Sequence, residues 1–239
     1  MPYYYGSENR GFLGGTPPVT RNLIILNIIV FIATLINREF MTAEFALFYP
    51  TSRYFHWWQI LTHMFMHGGF WHILFNMYTL WLFGSVVENI IGSKKFLLFY
   101  FICGLGAAGL HLGVEFLQMQ SFMEGAALGN NVALQNIAVI KLTPTVGASG
   151  AIYGVLIGYA MLFPASKMTL LFPPVTLSAK WMVIVFAAIE LLTGVTGTVA
   201  GVAHFAHLGG MLIGWLMIFY WRKRGKLFDK DSLCWTSGR

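Results

Sequence analysis

The chain has 239 residues, of which 57% are hydrophobic and only 10% charged, with a formal net charge of +6. An ordinary soluble domain carries about 25% charged residues. Because the apolar runs here repeatedly reach spanning length, a soluble domain with a large core is excluded and a polytopic, all-α membrane protein is expected. The basic residues lie mainly between and after these runs, so they read as topology determinants and not as a nucleic-acid surface.

Residues 1–21, MPYYYGSENRGFLGGTPPVTR, lack the basic start, short apolar core and small-residue cleavage site of a signal peptide. They read as an irregular or surface-lying lead-in, and the first apolar segment is expected to be retained. Cys103 lies in an apolar span and Cys234 in the tail, so no disulfide framework follows.

Six spans are expected within residues 22–221. The first runs from Asn22 to Ile36, and the long aromatic segment from Asn37 to Leu61 reads as an interfacial loop resting partly on the membrane. The second covers His67 or Phe70 to Val87, the third Phe96 to Leu117. Gln118 to Lys141 is weakly hydrophobic and is placed outside the bilayer, partly helical. The fourth span, Ser149 to Phe163, is short. Roughly 15 residues give roughly 22 Å, less than the roughly 30 Å hydrocarbon layer, so its polar first residue must begin below the surface. After Lys167 and the Pro173-Pro174 turn, the fifth span runs from Lys180 to Leu192 and the sixth from Val199 to Trp221. Residues 222–239 form a basic tail. With the N-terminus inside, only Arg38, Arg53 and Lys141 lie outside. Both termini are therefore expected in the cytoplasm of an inner-membrane protein, with the Ser149 end of span four facing outward.

The stretch Leu142 to Met161, LTPTVGASGAIYGVLIGYAM, places Ser149 at a helix start, followed by Gly150, Gly154 and Gly158 at every fourth residue. Such a ridge admits another backbone closely, and a polar group at that depth is costly unless paired or used. In GVAHFAHLGGMLIG, His207 is followed by Gly210 and Gly214, which let span six meet the ridge and stand His207 beside Ser149. A Ser-His pair needs hydrogen-bond reach and a neutral imidazole. His204 is the alternative base. Tyr153, one turn after Ser149, can stack on His207 or simply pack between helices. His72 and Asn76 share one helix face, as needed to serve an oxyanion together with the Ser149 backbone N–H; the bland alternative is an interhelical hydrogen-bonding pair. His63 and His67, four apart, read as structural or as lining water access. Glu190 and Glu115 show no evident pairing, so a two-member arrangement is expected over a triad, and Glu88 reads as a cap that pins an inner loop.

GASG at residues 147–150, HGGFWHILFNMYTLWLFGSVVE at 67–88 and AHLGGMLIG at 206–214 resemble, in this order and separation, the rhomboid family of intramembrane serine proteases. The resemblance implies a Ser149 nucleophile and His207 as base and then acid. It further implies an oxyanion site of Ser149 N–H, His72 and Asn76, a bend shaped by Gly147, and Tyr153 packed on the base. It also implies that the first loop lies on the membrane, that span five forms a side gate, and that single-span transmembrane proteins in the bilayer are the substrates. No cofactor or metal is implied. The family's Trp-Arg pair is not evident at Trp57-Trp58-Gln59, and the 118–141 insertion is long. The competing readings are a channel or transporter, for which no inverted repeat is apparent, a polyhistidine metalloenzyme, which lacks HExxH, and an inactive helix-binding relative.

Overall fold

The computed structural model describes residues 14–169, 174–197 and 203–228. Most of the 1–21 lead-in and of the 222–239 tail, with Cys234, and also Pro173 and the Val199 start of the last span, lie outside these residues. Helix α1 (Pro18–Ile36) is followed by α2 (Arg38–Phe45), α3 (Gln59–Thr62) and a tight turn at His63–Phe65. Helix α4 (Phe70–Thr79) continues through a π-type turn (Leu80–Gly84) into α5 (Ser85–Ile91). Then come α6 (Ser93–Ala127), α7 (Asn131–Leu142), α8 (Ser149–Leu162), α9 (Ala179–Thr196) and α10 (His204–Lys223). Among the described residues, four stretches are long and apolar enough to cross a membrane: Pro18–Ile36, Phe70–Ile91, Ser93–Ala127 and Ala179–Thr196. Helix α8 is shorter.

Three boundaries differ from those read in the sequence. Helix α6 runs unbroken for 35 residues, roughly 52 Å at 1.5 Å per residue, so it continues past Leu117 through residues 118–127 of the segment placed outside the bilayer and read as partly helical. It turns at Gly129 (φ +83°) and returns as α7, and the pair buries Met119 and Ile140 against Tyr49 of the first loop. The sequence lacks a break at Gln118 because Met119 and Phe122 continue the apolar face of Leu112 into that contact. A two-stranded antiparallel hairpin, β1 (Lys167–Thr169) with β2 (Thr176–Ser178), joins α8 to α9, a small departure from an all-α fold. His63 and His67 do not stack on one helix, because the chain leaves the tight turn in extended conformation at Met66 (φ −82°, ψ 143°).

Helix α8 sits at the centre, largely buried between α6 and α10. Its glycines serve two neighbours. A Cβ at Gly150 would strike Ala107, and one at Gly154 would lie 2.5 Å from Cys103 Sγ, both on α6. On the other side a Cβ at Gly210 would collide with the Gly150 carbonyl, and one at Gly214 would come within 2.7 Å of the Gly154 carbonyl. The ridge therefore faces α6, while its backbone carbonyls receive the glycines of α10. At the C-terminal end of α8 the side chain of Arg222 donates to Met161 O (2.7 Å), covering a carbonyl that the short helix leaves open.

The first loop is held by Gln59, which is fully buried. Its Nε2 donates to Ala43 O (2.9 Å) and Tyr54 O (2.8 Å), and its Oε1 accepts from Phe48 N–H (3.3 Å). Trp58 Nε1 donates to Glu44 O (2.8 Å). A neutral amide thus ties the loop together at the position next to the two tryptophans. Glu88, 1% exposed, accepts from Val19 N–H (3.0 Å), Thr20 N–H (2.7 Å), Thr20 Oγ1 (2.7 Å) and Ser93 Oγ (2.7 Å). It caps the start of α1, where first-turn amides have no helical partner, and ties α5 to the first residue of α6. The cap expected from the sequence is thereby located. Replacing Glu88 by Ala strands these donors and is expected to destabilise the fold by about 3 kcal/mol. A lower thermal midpoint in detergent, partly restored in Glu88→Gln, is the outcome to be measured; an unchanged midpoint would show that the cap is dispensable.

Candidate active site

The approach to Ser149 is irregular backbone, held in part by the first loop and by the tight turn at His63. Thr145 exchanges two backbone hydrogen bonds with Leu47 of the first loop (2.9 and 2.8 Å), and Gly147 N–H donates to His63 O (3.0 Å). At Gly147 the chain takes φ +130°, a value that a side chain resists. The same residue is the floor of the site: a Cβ there would lie 2.9 Å from His72 Nε2 and 3.4 Å from Ser149 Oγ. The space over Gly147 is therefore flanked by a hydroxyl and an imidazole nitrogen.

Ser149 is the first residue of α8. Its Oγ lies 2.8 Å from His207 Nε2. The Tyr153 ring stacks on the His207 ring with centroids 4.2 Å apart and planes 9° from parallel, so one turn of α8 supplies both the hydroxyl and the platform for the imidazole. His204, the alternative base, points elsewhere. Its Nδ1 lies 2.6 Å from Glu190 Oε2 and 3.1 Å from Thr193 Oγ1.

Glu190 corrects the sequence reading. Read as lacking an evident partner, it sits 2.8 Å from His207 Nδ1 through Oε1 and accepts the Tyr153 O–H at 2.6 Å. The signal that could have found it is the carboxylate itself, in the middle of the apolar stretch FAAIELL, which demands donors from a neighbouring helix. Two histidines three apart on the next helix were available to supply them. The Tyr153 hydroxyl was likewise missed, its ring alone having been assigned.

His72 Nδ1 accepts the Gly68 N–H at 3.4 Å, which leaves the proton on Nε2, the atom above Gly147. One turn further along the same face, Asn76 is buried with no acceptor for its Nδ2 among the described residues. One face of α4 thus carries His72 Nε2, at the Gly147 floor beside Ser149 Oγ, and the unpaired Asn76 Nδ2. His67 lies edge-on to His72 at 5.1 Å. His63 is neutral, its imidazole pushed down to about 4 by burial, and its Nδ1 donates to Gln59 O at 2.9 Å. His111 pairs with Thr145 Oγ1 (2.8 Å) and Glu115 (3.4 Å), giving Glu115 the partner that the sequence did not reveal. Among the described residues no group of three or more His, Cys, Asp or Glu is arranged to hold a metal.

An apolar groove of about 780 Å³ opens between α4–α5 and α9, lined among others by Trp71, Phe75, Phe83, Met182 and Phe186, with Lys167 and Thr169 of the hairpin at one end.

Comparison with known proteins gives the family. The Rhomboid domain model matches residues 54–224. Rhomboid protease AarA of Providencia stuartii is 30% identical over 227 residues, covering 90% of this chain and 76% of the relative. Rhomboid protease GlpG of Yersinia pestis (strain Pestoides F) and that of Yersinia pseudotuberculosis serotype O:3 (strain YPIII) are each 25% identical over 222 residues, covering 92% of this chain and 68% of theirs. With most of its length matched by the family model, this chain belongs to the rhomboid family of intramembrane proteases.

Proposed function

We propose that the protein is a six-span serine endopeptidase of the cytoplasmic membrane, cleaving transmembrane helices with Ser149 as nucleophile and His207 as base. The observation that carries this reading is the 2.8 Å contact between Ser149 Oγ and His207 Nε2 beneath the stacked Tyr153 ring. Helices α8 and α10 complete the count of six beside the four long apolar stretches. α8 is too short to cross alone, and α10 carries His204 and His207 at one end and Arg222 and Lys223 at the other. The bias of Lys and Arg toward one side supports cytoplasmic termini and an active site open outward.

In the reaction the Ser149 hydroxyl attacks the scissile carbonyl as its proton passes to His207 Nε2. The developing oxyanion lies over Gly147, where His72 Nε2–H, Asn76 Nδ2–H and the Ser149 backbone N–H can donate to it. The orphan Nδ2 of Asn76 supports this role, because a buried donor is costly when left unpaired and substrate supplies its acceptor. His207 then protonates the leaving amine, and water from the outer face releases the acyl-enzyme by the reverse proton path. An intact helix hides its amides, so single-span substrates with small or helix-breaking residues near the scissile bond are favoured. The groove between α4–α5 and α9 offers such a segment a lateral path from the bilayer.

The test is incubation of the purified protein with a panel of single-span substrates. Ser149→Ala and His207→Ala are expected to abolish cleavage while leaving the protein folded, and a serine-directed phosphonate to add one covalent label at Ser149. Undiminished turnover by Ser149→Ala overturns the reading. For the oxyanion donors, His72→Ala or Asn76→Ala is expected to lower kcat by about one to three orders of magnitude with little change in KM. A change confined to KM would assign these residues to substrate binding instead.

A further inference from the structure

The Ser149–His207 pair accounts for the proton transfer but assigns nothing to the carboxylate behind it. Glu190 comes from the middle of α9 and is 7% exposed. A carboxylate in that setting is unfavourable unless donors saturate it, and three do so. Oε1 receives His207 Nδ1 (2.8 Å) and Tyr153 O–H (2.6 Å), and Oε2 receives His204 Nδ1 (2.6 Å). We propose that Glu190 is a positioning residue for proteolysis, holding His207 through Nδ1 so that Ser149, His207 and Glu190 work as a triad.

The tautomer supplies the first argument. A carboxylate only accepts, so the contact at Nδ1 places the imidazole proton there and leaves the Nε2 lone pair for Ser149. That is the one neutral form able to take the hydroxyl proton. When Oγ bonds to the substrate carbonyl carbon, the O–H bond breaks and its proton moves to Nε2. Nδ1–H stays in place, and the resulting imidazolium faces a negative charge. No other group needs to gain or lose a proton.

The second argument separates this role from a mere tie between helices. His204 already joins α10 to Glu190 through Oε2, yet Oε1 is given to His207. Tyr153 stacks on that ring and also donates to the same oxygen, so the plane and the edge of the imidazole are fixed together. The groups around His207 are Ser149 and Tyr153 of α8, Glu190 of α9 and His204 of its own helix, with His72 of α4 and His111 of α6 within electrostatic reach. Glu190 is the acidic one bonded to it.

This inference rests on the reading of Ser149 and His207 as the reacting pair, and the experiment separates the two. Full-length wild type, E190Q, E190D and Ser149→Ala are compared on a single-span substrate, with active sites counted by stoichiometric phosphonate labelling. E190Q is expected to keep KM while kcat per labelled site falls about a hundredfold or more, with a parallel fall in the rate of phosphonylation. E190D, which retains the charge, recovers part of that loss. Wild-type kcat per site in E190Q overturns the proposal. So does a lower thermal midpoint in E190Q with kcat per site preserved, which would make Glu190 a helix tie only. If E190Q does not accumulate, E190D carries the test, with kcat lowered about tenfold at unchanged KM expected and a wild-type kcat overturning it. Cleavage by Ser149→Ala at the wild-type rate refutes the underlying pair, and the triad with it, whatever the Glu190 variants do.

Discussion

The carbonyl of Gly150 lies so close to Gly210 that no side chain fits between them, and the geometry of the site follows from that contact. Ser149 immediately precedes Gly150, and His207 stands one turn before Gly210. Fixing the two backbones at contact distance therefore fixes hydroxyl and imidazole relative to each other, independently of any loop. In a bilayer, helix association gains little from the hydrophobic effect, because lipid tails are as apolar as the side chains they replace. Close packing of small residues is the available alternative. The same glycines that leave α8 thin also let Ala107 and Cys103 of α6 press against it from the other side, so the helix is clamped between two partners.

A helix thin enough to be clamped is also short, and shortness creates a problem of unsatisfied backbone. The segment before Ser149 cannot be helical, yet it lies where irregular backbone must be covered. The first loop answers this through Leu47, which pairs with Thr145, and the tight turn at His63 accepts the Gly147 N–H. Loop and site are consequently one construction. Gln59 holds the loop from inside, and Tyr49 fastens it to the long α6–α7 hairpin. The insertion thus braces the first loop, to which its buried face is turned.

Much of this was legible in the sequence because it is written at helical spacing. Ser149 with its glycines, His72 with Asn76, and His207 with Gly210 and Gly214 each declare a face within a single helix. What was not legible is information that lies between helices. Glu190 and His207 are held together by the packing of α9 on α10, and no spacing within either helix shows which face of one meets which face of the other. The same holds for Gln59, whose acceptors are Ala43 in α2 and Tyr54 in the turn that follows. How far α6 continues was legible only as partial helicity of residues 118–141, because a fall in hydropathy shows where an apolar run ends and not where a helix does.

Glu88 and Glu190 show how a membrane fold uses a buried carboxylate. Each is surrounded by donors from other elements, and each locks helices that apolar packing alone would leave free to slide. The difference lies in the donors. Glu88 collects a helix start and two hydroxyls, none of which has a second task, and it serves architecture alone. Glu190 collects one imidazole whose far nitrogen touches Ser149 and one phenol whose ring covers that imidazole. It is also carried by α9, the helix whose Met182 and Phe186 line the lateral groove. Any movement of α9 that widens the groove also moves the carboxylate relative to His207. The wall of the groove and the carboxylate bonded to the imidazole belong to the same helix, so the two cannot be adjusted independently.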